Sequence, residues 1–511
     1  MIKKISLWIK KNPWELGVLA SIILLAAFLR FYRIDEYMIF LGDEGRDAIV
    51  VKDILTGTHL PSLGPPMSVG NVYLGPLYYY MMAFAMGLFW LNPVAAAGMV
   101  ALIGVLAVAL IYYLSREWFG KVAAAVAALG YALSPVAINY SRFSWNPNPV
   151  PFFSLLSILG LYRAHKSGNA NWFILTGASL AFLLQMHYLA LIMVPVVLLL
   201  WVYELSLRKG KKSERNSFWL ASAISLLAFL TLMSPLIFFD IRHNFLNARG
   251  LYELFFSGGS GVKLTFLDTF GRSVPLFVND LVGRYLAGQN PIFAALISLA
   301  ALSILADGVY RRIRGERLSW PLLALSVWLF FGLVGLMFYK GAIYDHYLGA
   351  LSPVPFILFG AFYQTVWNQR NSFRPIAITL ALLFLALVSF AEVLKNPLLA
   401  PPNRQLQPTQ DIARFIIRQS GGKPFNFALL AKNNYDSAYQ YYLDIYGYKP
   451  RVVPFEKTDQ LFVVCEDAVC NPIGHPKYEI AAFGWSQIKD EYRVDGLRVF
   501  KLIPNPDQPN R

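Results

Sequence analysis

Apolar residues in this chain run in long unbroken blocks, separated by short polar or basic stretches, through most of the first 400 positions. A helix needs about 20 such residues to cross a bilayer. The blocks predict crossings near 15–33, 94–114, 121–140, 148–163, 172–186, 189–204, 217–239, 291–310, 319–339, 346–367 and 374–393. The stretch 172–203 carries no charge and is too long for one crossing; Gln185-Met186-His187-Tyr188 at its middle divides it into two short helices. The first block follows Lys3, Lys4, Lys10 and Lys11 and runs into Arg30 with no small-residue cleavage site, so it reads as an uncleaved first span.

Basic residues gather between the blocks, at Arg116/Lys121, Arg163/Lys166, 208–215, 311–317 and Arg370/Arg374, and the positive-inside rule assigns them all to the cytoplasmic side. That assignment holds only if the uncharged stretch 71–91 does not cross. Its Tyr73, Tyr78, Tyr79, Tyr80 and Trp90 are therefore expected in a helix at the outer interface. The predicted architecture is a polytopic α-helical membrane protein with about 11–13 transmembrane helices. Its N-terminus is expected in the cytoplasm and its C-terminus outside. External loops are expected at 34–93 and 240–290 within a membrane domain spanning 1–398.

Past residue 400 the pattern changes. A Pro-rich linker leads to a helix over 408–419, with apolar Ile412, Phe415 and Ile416 on one face. Strand-like runs follow at 425–431, 461–465, 478–483 and 492–502, with a helix near 435–446. Residues 399–511 thus predict a small extracytoplasmic α/β domain. Cys465 and Cys470 either pair in an oxidising compartment or stay free; His475 alone makes a poor start for a zinc site.

Composition narrows the function classes. The chain is 56% hydrophobic and only 15% charged, against about 25% charged for soluble proteins, which excludes a soluble multidomain enzyme and a disordered chain. Lys and Arg number 45 against 30 Asp and Glu. This excess follows from the positive-inside bias, and the tail lacks the basic, aromatic-laced face that nucleic acid would require.

The local pattern richest in chemistry is Gly42-Asp43-Glu44-Gly45-Arg46-Asp47, just past the first span. Carboxylates beside a bilayer are costly unless they are solvated or used. A plain solvated loop is one reading. The residues 48–55 that follow have an apolar face at helical spacing, which holds Asp43 at a helix N-terminus near the lipid. Other polar groups also fall in the predicted external segments. Trp145 could stack on a ligand, and Asn146 and Asn148 could bind its polar groups; the same residues also suit a Pro-terminated helix start. His187 with Tyr188, His243, and His346 with Asp345 suggest a polar cavity, although a single interfacial His is more often structural. Arg242, Lys340, Arg142 and Arg46 are the candidate phosphate ligands, each weighed against an ordinary headgroup anchor. Ser257–Gly261 reads as a linker or a lid.

The first span, the acidic pair, the surface helices and the turn Tyr113-Leu114-Ser115-Arg116-Glu117-Trp118-Phe119-Gly120 occur here in a set order. With Ala-rich 122–132 and Leu133-Ser134-Pro135, this set resembles the GT-C glycosyltransferases over roughly 15–165. The branch is that of protein O-mannosyltransferases and the aminoarabinose transferases of lipid A. Gly75-Pro76-Leu77 sits where that family often has His-Pro-Pro-Leu. The resemblance implies an enzyme of the plasma membrane that moves a sugar from a polyprenyl-phosphate sugar donor to an acceptor hydroxyl on the extracytoplasmic face. The acceptor is a protein, a lipid or a cell-wall glycan. It further implies an inverting displacement with Asp43 as general base and Glu44 beside it. Many members carry a further acid where this chain has Ser141–Pro149, a segment without a carboxylate; whether a divalent metal takes part is left open. The alternative class is a transporter or flippase for lipid-linked or small polar cargo. Such a protein would show mid-helix charges and repeated halves, whereas here the charges sit at the outer boundary and no repeat is visible.

Overall fold

The computed structural model describes residues 12–67, 72–208, 212–253, 270–339, 341–467 and 469–506. Lys340 and Ser257–Gly261 lie outside the described residues. In chain order the main helices are α1 (Pro13–Phe31), α2 (Gly42–Leu55), α3 (Leu77–Leu88), α4 (Pro93–Trp118), α5 (Lys121–Leu133), α6 (Val150–Ser167), α7 (Phe173–Met186), α8 (Met193–Leu207), α9 (Lys212–Arg242), α10 (Pro291–Ile313), α11 (Trp320–Met337), α12 (Pro353–Trp367) and α13 (Arg374–Leu394). They are followed by α14 (Leu406–Ser420), β1 (Asn426–Leu430), α15 (Ser437–Ile445), β2 (Leu461–Cys465), α16 (Tyr478–Phe483), β3 (Ser486–Val494) and β4 (Leu497–Pro504).

Among the described residues seven helical stretches are long and apolar enough to cross a membrane: α1, α4, Tyr188–Leu207, Ser213–Arg242, α10, α11 and α13. The other expected crossings fall on the shorter α5, α6, α7 and α12. The break predicted inside 172–203 lies at His187, whose extended backbone (φ −157°, ψ 131°) ends α7. The aromatic-rich α3 has twelve residues, well short of the ~20 that a crossing needs.

The chain divides into two compact units. The first holds residues up to Tyr32, then Pro61–Met81 and Ala97–Pro401. Its helices leave apolar side chains on the outside, as a hydrocarbon solvent allows; Leu226, Leu227, Phe330, Leu380 and Phe390 are all exposed. Polar groups inside it are spent on helix ends. Arg30, fully buried, donates to Tyr131 O (3.3 Å) and Ala132 O (3.2 Å) at the C-terminus of α5. Arg142 donates to Leu29 O (2.8 Å) and Tyr32 O (2.6 Å) at the C-terminus of α1. Each guanidinium satisfies carbonyls that the helix leaves without partners and sits at the negative end of its dipole.

The second unit is assembled from three stretches of the chain. It contains not only the C-terminal residues from Pro402 onward but also Arg33–Leu60 and Met82–Ala96, which the sequence reading had assigned to the membrane domain. Its four-stranded sheet has the order β1-β2-β4-β3, with β1 and β2 parallel and the remaining pairs antiparallel. Ala428, Leu430, Leu461, Val463, Cys465, Ile480, Phe483, Phe500 and Leu502 form the core beside the sheet. Cys465, at the end of β2, is joined to Cys470 by a disulfide. Two elements differ from expectation. The run 478–483 is helical, because a short apolar stretch does not reveal its period. The run 492–502 is not one strand but the end of β3 and most of β4, joined by a hairpin turn at Asp495-Gly496, both with positive φ, the residues such a turn demands.

Against this sheet domain packs α2. A Cβ on Gly45 would lie 2.2 Å from Ala438 N, and one on Gly42 would lie 2.5 Å from the Tyr435 ring. The two glycines, three apart on one helical face, let the backbones of α2 and the 434–445 segment approach this closely. Gly45→Ala is expected to loosen that packing at a cost of about 1–3 kcal/mol. Limited proteolysis should then cut the 402–506 region sooner, whereas Gly17→Ala, with nothing near its Cβ, should leave the digestion pattern unchanged.

Candidate active site

Each unit brings one group of polar side chains together. In the second unit the group is built on the first turn of α2. Asp43 is about half exposed, at 48% of its side-chain surface, and its Oδ1 accepts from Tyr435 Oη and from Arg46 Nη1 (2.8 Å). Arg46 also donates through Nε (2.9 Å) and Nη2 (2.7 Å) to Oδ1 of Asp47, which is buried. One guanidinium thus bridges two carboxylates, and the carboxylates stand near the positive end of the helix dipole.

Glu44 has a different task from the one expected beside Asp43. It is buried, and its Oε2 accepts the Leu41 backbone N–H at 3.0 Å, closing the N-terminus of its own helix. Burial is the larger influence and pushes its pKa up to about 7, making it a weaker acid, while hydrogen bonds from backbone N–H groups pull the other way. The Tyr435 hydroxyl, beside Asp43, is likewise pushed up by burial and by that carboxylate.

Behind this turn lies a relay that the sequence did not reveal. Asn434 Oδ1 accepts the Gly42 N–H (2.9 Å) while its Nδ2 donates to both oxygens of Glu466 (3.0 and 3.1 Å). Tyr439 donates to Glu466 Oε1 at 2.8 Å. Asn434 follows β1 and Glu466 follows β2, so the N-terminus of α2 rests at the carboxyl ends of the two parallel strands. Ligand crevices in open α/β sheets form at such ends.

The first unit gathers aromatic and histidine side chains. His346 packs on Trp145 (4.5 Å between ring centres), Tyr347 (4.5 Å) and His187 (5.5 Å), and His187 stacks on Tyr188 (4.7 Å). Tyr188 donates to Tyr339 Oη at 3.3 Å. His187 is buried and His346 half-buried among these rings, so their ring nitrogens are placed to serve as hydrogen-bonding groups. His346 Nδ1 is buried with no hydrogen-bond partner among the described residues.

Other expected residues are committed elsewhere. The Asn146 amide donates to Met186 O (2.6 Å) and the Asn148 amide to Phe143 O (2.9 Å), so these donors brace the 141–149 loop. His243 stacks on Phe239 of its own helix and is bonded to the Phe239 carbonyl; neighbouring Asp240 caps the Asn247 and Ala248 N–H groups. Arg142 is taken by the α1 carbonyls described above, and Arg46 by Asp43 and Asp47. Arg242 is exposed at the end of α9. Asp345 is paired with Arg284 (2.9 Å), which also bridges to Asp280 (2.6 Å). Arg284, Asp345, Asn279, Gln289 and Asn290 line a cavity of about 440 Å³. Sequence reading missed Arg284; the π-helical stretch Leu276–Gly283 that presents it is a distortion common at functional sites, but it leaves no mark in the hydropathy pattern.

Among the described residues no three His, Cys, Asp or Glu side chains are grouped to share a metal ion. Between Asp43 and Asp47 the cation is the Arg46 guanidinium, so this turn does not offer the donor set that a divalent ion needs.

Residues 74–234 match the model of the family described as dolichyl-phosphate-mannose-protein mannosyltransferase. The protein YkcB of Bacillus subtilis (strain 168), a mannosyltransferase by its name, is 31% identical over 141 residues. That stretch is 27% of this chain and 19% of the relative, so the match spans about a fifth of YkcB. Among solved structures, ArnT from Cupriavidus metallidurans bound to undecaprenyl phosphate aligns with a TM-score of 0.60 at 14% identity, over 96% of this chain and 98% of that one. The archaeal oligosaccharyltransferase AglB from Archaeoglobus fulgidus, in complex with an inhibitory peptide and a dolichol-phosphate, gives 0.54 at 16% identity, over 89% and 70%. At these identities the structural likeness establishes the fold. This is a multi-pass membrane protein with the fold shared by the ArnT and AglB glycosyltransferases. Its sequence is similar to that protein mannosyltransferase family over 74–234, a stretch that begins after the acidic turn.

The position of Glu44 carries a pH dependence. The folded chain keeps the Glu44 proton up to about 7, whereas an ordinary glutamate loses it near 4.5. Burial of the neutral acid therefore lends stability that is fully present below about 4.5 and is lost as pH rises through about 7. Glu44→Gln keeps an acceptor for Leu41 N–H and cannot ionise. Its melting temperature should match that of the parent protein near pH 4 and exceed it near pH 8. The same difference at both pH values would remove this account.

Proposed function

We propose that the chain is an integral-membrane glycosyltransferase that moves a sugar from a polyprenyl-phosphate sugar to an acceptor hydroxyl on the extracytoplasmic face, with Asp43 as general base. The observation that carries the reading is the state of Asp43. It is the half-exposed carboxylate of the acidic turn, held at Oδ1 by Tyr435 and Arg46, while Glu44 and Asp47 are buried. An acceptor hydroxyl is a weak nucleophile until its proton is removed in the transition state. With both contacts on Oδ1, Oδ2 is the oxygen to take that proton.

The acceptor oxygen then forms the new bond to the anomeric carbon as the bond to the polyprenyl phosphate breaks. The electron pair leaves with the phosphate, and a single displacement inverts the anomeric centre. The charge developing on the leaving phosphate requires cationic donors. Arg242, which is exposed, and Lys340 remain the candidates from the sequence, and Arg284 in its polar cavity joins them. Trp145, His187, Tyr188 and His346 form the aromatic and polar surface suited to a sugar ring, with Asp345 and Arg284 at its edge. The donor class is supported by the undecaprenyl phosphate and dolichol-phosphate in the ArnT and AglB structures. The acceptor is a hydroxyl of a protein, a lipid or a cell-wall glycan. The basic clusters between spans support a cytoplasmic N-terminus and an extracytoplasmic C-terminal domain.

The test is reconstitution with a panel of radiolabelled polyprenyl-phosphate sugars and crude membrane acceptors. Label should leave the lipid with the parent protein, and Asp43→Asn should lower turnover by about 100-fold or more with retained binding of polyprenyl phosphate. Undiminished transfer by Asp43→Asn would reject Asp43 as the base. Movement of the lipid across the bilayer without consumption of donor would make the protein a flippase.

A further inference from the structure

We propose that the C-terminal α/β domain belongs to the catalytic apparatus and that Tyr435 is a positioning residue that fixes the Asp43 carboxylate for proton abstraction. The proposal rests on the reading of Asp43 as the base and deepens it.

The argument starts from the sheet. Among the described residues β1 and β2 are the parallel pair of this sheet, and the N-terminus of α2 lies at their carboxyl ends, where ligand crevices form in open α/β sheets. Glu466 at the end of β2 fixes the Asn434 amide, because only the Nδ2 end can face a carboxylate. The Oδ1 end is thereby turned toward the Gly42 N–H. Asn434 Oδ1 also accepts the backbone N–H of Tyr435 (2.9 Å). The residue that carries the phenol is therefore tied to the same amide that holds the start of α2. From there the Tyr435 hydroxyl donates to Asp43 Oδ1, and Arg46 approaches that hydroxyl at 3.4 Å.

The Tyr435 ring also packs where a Cβ of Gly42 would stand. Packing and hydrogen bonding thus fix the same side chain. A carboxylate at the exposed start of a helix has two free torsions. Two donors converging on one of its oxygens leave a single orientation, and the other oxygen is presented in a set direction. The charged and titratable groups around it are Arg46, Asp47 and Glu44 on its own helix and Tyr435, Asp436, Tyr439 and Glu466 from the C-terminal residues. Tyr435 is the donor that reaches Asp43 itself from outside α2.

Two variants separate positioning from packing. Tyr435→Phe keeps the ring on Gly42 and removes the hydroxyl, whereas Tyr435→Ala removes both. If the hydroxyl positions the base, both lower kcat by about ten- to a hundredfold. KM for the donor and binding of undecaprenyl phosphate alone should stay within about twofold of the parent values. Tyr435→Phe with the parent kcat, alongside an impaired Tyr435→Ala, would reduce Tyr435 to a packing role and overturn the proposal. Loss of undecaprenyl phosphate binding in Tyr435→Phe would also overturn it, since the defect would then reach beyond the base. Asp43→Asn, measured in parallel, keeps the two claims distinguishable. An inactive Asp43→Asn with a fully active Tyr435→Phe sinks the positioning role alone. An active Asp43→Asn sinks the reading of the base on which it rests.

Discussion

The backbone of α2 at Gly45 lies so close to that of Ala438 that no side chain fits between them, and the acidic turn depends on this approach. Two glycines at i and i+3 give up helix propensity, about 1 kcal/mol each relative to Ala. In return the start of α2 settles at the ends of two parallel strands, where Asn434 takes the Gly42 N–H and Tyr435 takes Asp43. The Gly-x-x-Gly spacing thus explains the motif better than its charges alone do. The glycines bring the helix in, and the acids between and beside them then divide by burial. Glu44 and Asp47 turn inward; Asp43 stays at the surface.

A second constraint comes from the bilayer, where no polar group can go unsatisfied without a cost of several kcal/mol. Arg30 and Arg142 show how the first unit meets it, each placed at the C-terminal carbonyls of a helix. The same economy governs the aromatic and histidine cluster. His187 and His346 lie among aromatic rings, which leaves ring nitrogens able to exchange hydrogen bonds with a polar guest.

Much of this was legible in the sequence, because hydropathy blocks report the environment directly. The apolar helices, the break at His187 and the change of character past residue 400 all follow from burial in lipid or in water. The acidic turn was legible as chemistry because carboxylates beside lipid are expensive. What stayed hidden depended on contacts between residues far apart in the chain. Tyr435 sits 392 positions from Asp43, and its neighbourhood, Lys432-Asn433-Asn434-Tyr435-Asp436, reads as an ordinary loop. Two of the phosphate candidates, Arg142 and Arg46, have other partners for a related reason. Sequence identifies where cations lie along the chain, not whether carbonyls or carboxylates already hold them, as they do for Arg142 and Arg46.

Those commitments bear on how acid–base and electrostatic work are divided. Arg46 carries one positive charge between the two carboxylates of Asp43 and Asp47, so the three groups together remain anionic. A cluster that is anionic overall, as the proposed base and its two neighbours are, repels a phosphate and tolerates a neutral hydroxyl. The acceptor side of a transfer reaction needs this selectivity, because a donor phosphate lodged on the base would block the proton's path. The cation that meets the leaving phosphate should accordingly be one that is not already bound to the base, and Arg46, the nearest in sequence, is the least suited of the candidates.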